Sequence, residues 1–197
     1  MQRFSILRAQ AAKRAKAFGR DRGGVAAIEF AMIVPIMVML FFGTVEFSQA
    51  LTADRRVAQM ASTTADLVAQ YDTLSVAQVC NIFKISKSLL LPYPTSDLTI
   101  SVTNLQKTGT GTPAGSWSED LGCSGSGPYQ GAYSTAVPAG LLPDQTAGTS
   151  TCVVMAEVKY TFKPTIGYFL SPTAGVPLAE KFYLKPRKST CVTRTLT

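Results

Sequence analysis

Few residues of this chain invite chemistry, and their types restrict what that chemistry is. The 197-residue sequence contains no histidine. This removes Ser-His-Asp and Cys-His triads, histidine metal sites and an imidazole pH switch. Cys80, Cys123, Cys152 and Cys191 are even in number, widely spaced and without a C-x-x-C pair. They read as two disulfides in an oxidising compartment rather than as a zinc site. Three pairings are open; Cys123 with Cys152, closing the long loop, and Cys80 with Cys191, tying helix to tail, are favoured. Glu119 and Asp120 are adjacent acids, expected to be solvated in a loop rather than to act as a catalytic pair. Ser124 and Ser126 have no activating base. Gly109-Thr110-Gly111 lacks the third glycine of a dinucleotide loop, and there is no Walker lysine loop. No catalytic residue, metal site or cofactor is expected, and the chain does not read as an enzyme.

The remaining reactive group is Glu29, and its surroundings set its meaning. It is the only charge between Val25 and Val45. Twenty-one helical residues reach about 31 Å, enough to cross a hydrocarbon core of about 30 Å. A carboxylate in such a helix costs about 2.5–3.5 kcal/mol on insertion scales, so it is a functional candidate by default. Pro35 removes a backbone donor in mid-run and should loosen or kink the helix.

Charge placement orients this segment. Residues 1–24 hold seven of the 19 basic residues and one of the 12 acidic ones. The rest of the chain is nearly neutral, so the net charge of +7 reports a basic leader and not a nucleic-acid surface. Arg3, Arg8, Lys13, Arg14, Lys16, Arg20 and Arg22 precede the apolar run, and only Arg55 and Arg56 follow it closely. The positive-inside rule then puts the N-terminus in the cytoplasm and the cysteine-bearing bulk across the membrane. The expected organisation is a basic cytoplasmic leader at 1–24, a transmembrane helix at 25–50 and an exported, periplasmic α+β domain at 51–197.

The junction Arg22-Gly23-Gly24-Val25-Ala26-Ala27-Ile28-Glu29-Phe30 resembles a type IV prepilin processing site. Residues 24–35 (Gly-Val-Ala-Ala-Ile-Glu-Phe-Ala-Met-Ile-Val-Pro), followed by Gly43-Thr44-Val45-Glu46-Phe47-Ser48, are similar to the TadE/TadG-like family. These are pseudopilin-like proteins of the tight-adherence (Flp, type IVc) pilus system of bacteria. Looser similarity lies at Leu98–Val102, Trp117, Val153–Tyr160 and Lys185-Pro186-Arg187. The resemblance implies cleavage by a prepilin peptidase between Gly24 and Val25, with Glu29 then pairing with the new amine of a neighbouring subunit. It also implies an inner-membrane location, other pilins and pseudopilins as partners, and a part in cell adhesion. The alternative is an uncleaved single-pass membrane protein with a periplasmic binding domain.

Past the membrane the helix is expected to continue to about Ala69, burying a stripe at Leu51, Ala58, Ala61, Ala65 and Val68. Ser75 and Gln78 have capping-box spacing, and Leu74 with Val79 fit a hydrophobic staple. They start a second helix from Val76 to about Leu90, contributing Val79, Ile82, Phe83, Leu89 and Leu90 to the core. Lys84 and Lys87 suit its C-terminal end, and Pro92 and Pro94 stop it. Alternation predicts strands at 98–103, 116–121 and 152–162, with a last one at 181–185. The stretches 107–115, 122–150 and 164–177 read as long loops. The fold class is therefore α+β: a long N-terminal transmembrane helix leading into a small exported domain with a second helix and an antiparallel sheet.

Overall fold

A computed structural model describes residues 23–123, 137–138, 140–146, 148–164 and 175–195. Ser124, Ser126 and all but the last two residues of the basic leader lie outside them. The chain divides into two units, at Met1–Val45 and Glu46–Thr197.

Helix α1 runs from Gly23 to Ala69, with Pro35 inside it. In the first unit, none of its side chains between Gly24 and Val45 is buried. An 18-residue window of this helix has a mean hydropathy of 2.5 and none of it is buried.

In the second unit, α1 becomes amphipathic and packs. Ala53, Val57, Met60, Ala61, Thr64, Ala65, Val68 and Ala69 are buried, a stripe of three- and four-residue steps. This corrects the expected stripe at its start, because Leu51 is exposed. Ala53 and Val57 take the positions that Leu51 and Ala58 were expected to fill. Burial here selects by phase around the helix rather than by hydrophobicity.

The chain then makes a short strand β1 (Thr73–Ser75) and turns into α2 (Val76–Ser88). The capping box is present: Gln78 N–H donates to Ser75 Oγ (3.3 Å), and Ser75 N–H donates to Gln78 Oε1 (2.8 Å). Leu74 and Val79 on either side are both fully buried, as a staple requires. Helix α2 returns antiparallel along α1. Thr64 Oγ1 donates to Ser86 Oγ at 2.8 Å, and the Arg56 guanidinium donates to the Leu89 and Leu91 carbonyls at the end of the helix. Val79, Ile82, Phe83 and Leu90 enter the core as expected.

Four strands follow: β2 (Leu98–Thr108), β3 (Ala114–Asp120), β4 (Ser150–Phe162) and β5 (Val176–Leu184). They form an antiparallel sheet in the order β3-β2-β4-β5. Ile100, Val102, Val154, Ala156, Val158, Tyr160 and Phe162 face the helices. The opposite face is partly covered as well. Leu105, Val153 and Met155 form a second small core with Leu142, which explains why β4 is buried on both sides near its start. The last expected strand, at 181–185, starts earlier: β5 begins at Val176, with Pro177 on an edge strand where its missing N–H is tolerated. A short C-terminal strand β6 (Thr193–Thr195) pairs parallel with β1, a link between distant segments that alternation alone does not reveal.

Candidate functional site

The first candidate site is the start of α1. Gly24 and Val25, the expected cleavage pair, and Glu29 all lie on exposed helix. A Cβ added at Gly24 would meet nothing within 4 Å, so packing among the described residues does not explain a glycine there. From Val25 to Val45 the chain presents Ile28, Phe30, Met32, Ile33, Ile36, Met37, Val38, Met39, Leu40, Phe41 and Phe42 outward, and none of the described residues covers them. So large an apolar surface requires lipid or other helices around it. One carboxylate on this surface can accept a hydrogen bond or ion pair from an approaching donor and has no other evident chemistry.

The cysteines form two bridges with a pairing that differs from the favoured one. Cys80 joins Cys123, with Cα atoms 5.8 Å apart, and Cys152 joins Cys191, with Cα atoms 5.0 Å apart. Sheet register explains why Cys123 cannot reach Cys152. Cys123 follows β3 just after Asp120, which lies opposite Ser101, whereas Cys152 lies opposite Gln106. Five strand residues put these places about 17 Å apart, far beyond a disulfide's span. The first bridge instead ties α2 to the end of β3. The second ties β4 to the C-terminal strap at 189–195.

That strap is held by more than sulfur. The Trp117 indole N–H donates to the Val192 carbonyl at 2.8 Å. Arg194 donates to the Ser118 carbonyl and to Glu119 Oε2, both at 2.7 Å, and its guanidinium lies 5.8 Å from the Trp117 ring centroid. The Glu119 side chain is 0% exposed and that of Arg194 only 4%. This corrects the expectation of a solvated acid pair. Glu119 points inward from β3 to a buried cation, whereas Asp120 is exposed and accepts from Gly122 N–H at 2.9 Å. Strand alternation places the two neighbours on opposite faces, and with Trp117 as an inward marker it offered the missing signal.

A cleft of about 420 Å³ opens beside the strap, lined by Asn104, Gln106, Ser116, Trp117 and residues 191–194. Its charged group, Arg194, is committed to Glu119, and its hydroxyls have no base to activate them. Among the described residues no group of three His, Cys, Asp or Glu side chains could hold a metal. At the exit of β5, Arg187 N–H donates to the Ala69 carbonyl at 2.9 Å, and the Arg187 side chain pairs with Asp66. The loosely similar Lys185-Pro186-Arg187 segment therefore caps the C-terminal end of α1.

An uncovered apolar helix with one carboxylate near its start, running into a packed amphipathic half, is the arrangement that comparison with known families tests. Residues 24–66 match the TadE-like protein family. The match begins at Gly24 and ends at Asp66, the partner of Arg187. The TadE-like segment thus covers the whole exposed apolar stretch and nearly all of the packed half of α1, and it points to a role in the tight-adherence pilus system. No curated protein and no solved structure matches the chain.

Proposed function

We propose that this protein is a minor pilin or pseudopilin-like structural component of tight-adherence pilus assembly. In this reading a prepilin peptidase removes residues 1–24 at the cytoplasmic face of the inner membrane. The freed Val25 amine then pairs with Glu29 of a neighbouring subunit, and the apolar half of α1 packs laterally against other pilin helices while the second unit stands in the periplasm. The observation that carries the reading is that the family match at residues 24–66 covers the exposed apolar stretch of α1 and includes Gly24, Val25 and Glu29. Two disulfides fit an oxidising compartment for the folded domain.

The test uses two substitutions with different expected effects. Gly24→Val should block leader removal without disturbing insertion, because glycine allows close approach to the scissile backbone and none of the described residues crowds the position. Glu29→Ala should leave insertion unimpaired and cleavage intact but prevent subunit association, since the amine loses its partner. N-terminal mass and pilus counts are read for both variants beside the wild type. Normal piliation with an uncut leader in Gly24→Val would overturn the proposal.

A further inference from the structure

The turn that follows α2 in the second unit carries exposed side chains of the wrong kind for water. Helix α2 ends at Ser88 and is followed by Leu89-Leu90-Leu91-Pro92-Tyr93-Pro94. Leu90 is fully buried, but Leu91 is 59% exposed and Pro92 and Pro94 are exposed too. The turn is held firmly in this attitude. Arg56 binds the Leu89 and Leu91 carbonyls and lies 5.9 Å from the Tyr93 ring centroid. The Tyr93 ring meets Phe162 edge-on at 5.9 Å, and the cross-strand partner of Phe162, Val176, is 44% exposed.

The Tyr93 hydroxyl donates to the Gln49 carbonyl at 3.1 Å. Gln49 is four residues past Val45, where the apolar run ends. Whatever direction the chain takes between them, four residues span at most about 14 Å. Tyr93 is therefore tethered close along the chain to the end of the spanning segment. Its composition matches an interfacial site: an aromatic ring with a polar tip, and apolar side chains beside it. Lys163 is meanwhile paired with Asp97 at 2.7 Å, which limits the net charge of the surface and makes apolar contact its main attraction.

We infer that the Leu91–Pro94 turn is a membrane foot, seated in the headgroup region of the phospholipid bilayer in which the chain is anchored. The inference rests on the reading of the transmembrane helix at 25–50, and it deepens that reading by giving the domain a second lipid contact. Two contacts restrict how the domain swings about the helix and therefore which face it offers to other subunits.

The experiment places single tryptophans in the full chain, reconstituted in vesicles of phosphatidylcholine with or without brominated acyl chains. Wild type supplies the baseline, because its single tryptophan, Trp117, is buried. Leu40→Trp reports the span, Leu91→Trp the turn, and Asn81→Trp an exposed site nearer the opposite end of α2. The expected result is bromine-dependent loss of emission in the first two variants and none in Asn81→Trp. Quenching of Leu40→Trp without quenching of Leu91→Trp would overturn the foot and leave the membrane reading standing. Absence of quenching in both would overturn the two together. Equal quenching of Asn81→Trp and Leu91→Trp would also overturn the foot, because the domain would then lie on the bilayer without using this turn.

Discussion

Truncating the two partners of the buried ion pair should have unequal costs, and the inequality follows from where each partner sits. Arg194→Ala leaves the Glu119 carboxylate behind on β3, with a side chain 0% exposed and a backbone paired to β2. Glu119 cannot reach water without disrupting the sheet, so the loss of its Arg194 partner costs about 3–5 kcal/mol, the scale for breaking a buried ion pair. Glu119→Ala leaves Arg194 on β6, a three-residue strand that ends at Thr195. That strand can peel from β1, releasing the guanidinium to solvent while the Cys152–Cys191 bridge keeps the rest of the strap in place. The loss is then capped by the few hydrogen bonds of β6, at about 1 kcal/mol each, for a total of about 2–3 kcal/mol. Replacing both partners together, Glu119→Leu with Arg194→Met, should recover most of either loss, since well-packed apolar side chains replace buried pairs at little cost. The assay is guanidinium unfolding of the full chain in detergent, followed by the emission of Trp117, which touches Val192 and Arg194 directly. A Glu119→Ala loss equal to or larger than that of Arg194→Ala would refute the peeling argument. Losses near zero in both would refute the burial of the pair.

Other parts of the domain give sharper single outcomes. Ser75→Ala removes one arm of the capping box and should destabilise the domain by about 0.5–2 kcal/mol in the same unfolding assay. Peptide mapping without reduction should recover Cys80 linked to Cys123 and Cys152 linked to Cys191; a Cys123–Cys152 peptide would contradict the sheet register. The Lys163 ammonium, donating to Asp97, holds that carboxyl below its ordinary value of 3.8. A depressed folded-state pKa means that the pair's contribution is present above the unfolded value and is lost as pH falls through the lower, folded one. Lys163→Ala should return the Asp97 titration, followed by carboxyl NMR, upward toward 3.8.

Local signals were readable where one residue type acts on its own neighbours. Ser75 with Gln78, the proline pair at 92 and 94, and the alternation from Leu98 and through Phe162 each mark an element boundary or face by short-range physics, and each element is present in the structure. The start of the apolar stripe was misplaced at Leu51 because the helix is apolar on all sides before its phase is set by packing. Long-range relations were less legible. The disulfide pairing depends on β2–β4 register, which the loop between Cys123 and Cys152 conceals. The parallel β1–β6 pair joins two three-residue segments 120 positions apart, too short for a periodic pattern. The burial of Glu119 depends on a cation that arrives 75 residues later. The apolar run around Glu29 was legible by contrast, because a carboxylate inside an uncharged run differs from every neighbour, and the structure shows that run as exposed helix.

In the proposed function, α1 packs with other pilin helices only after cleavage exposes the Val25 amine. The most direct measurement is the intact mass of the chain extracted from the membranes of pilus-producing cells. The predicted mass is that of a chain beginning at Val25 with both disulfides formed. A mass that still includes residues 1–24, in cells whose pili are normal, would contradict it.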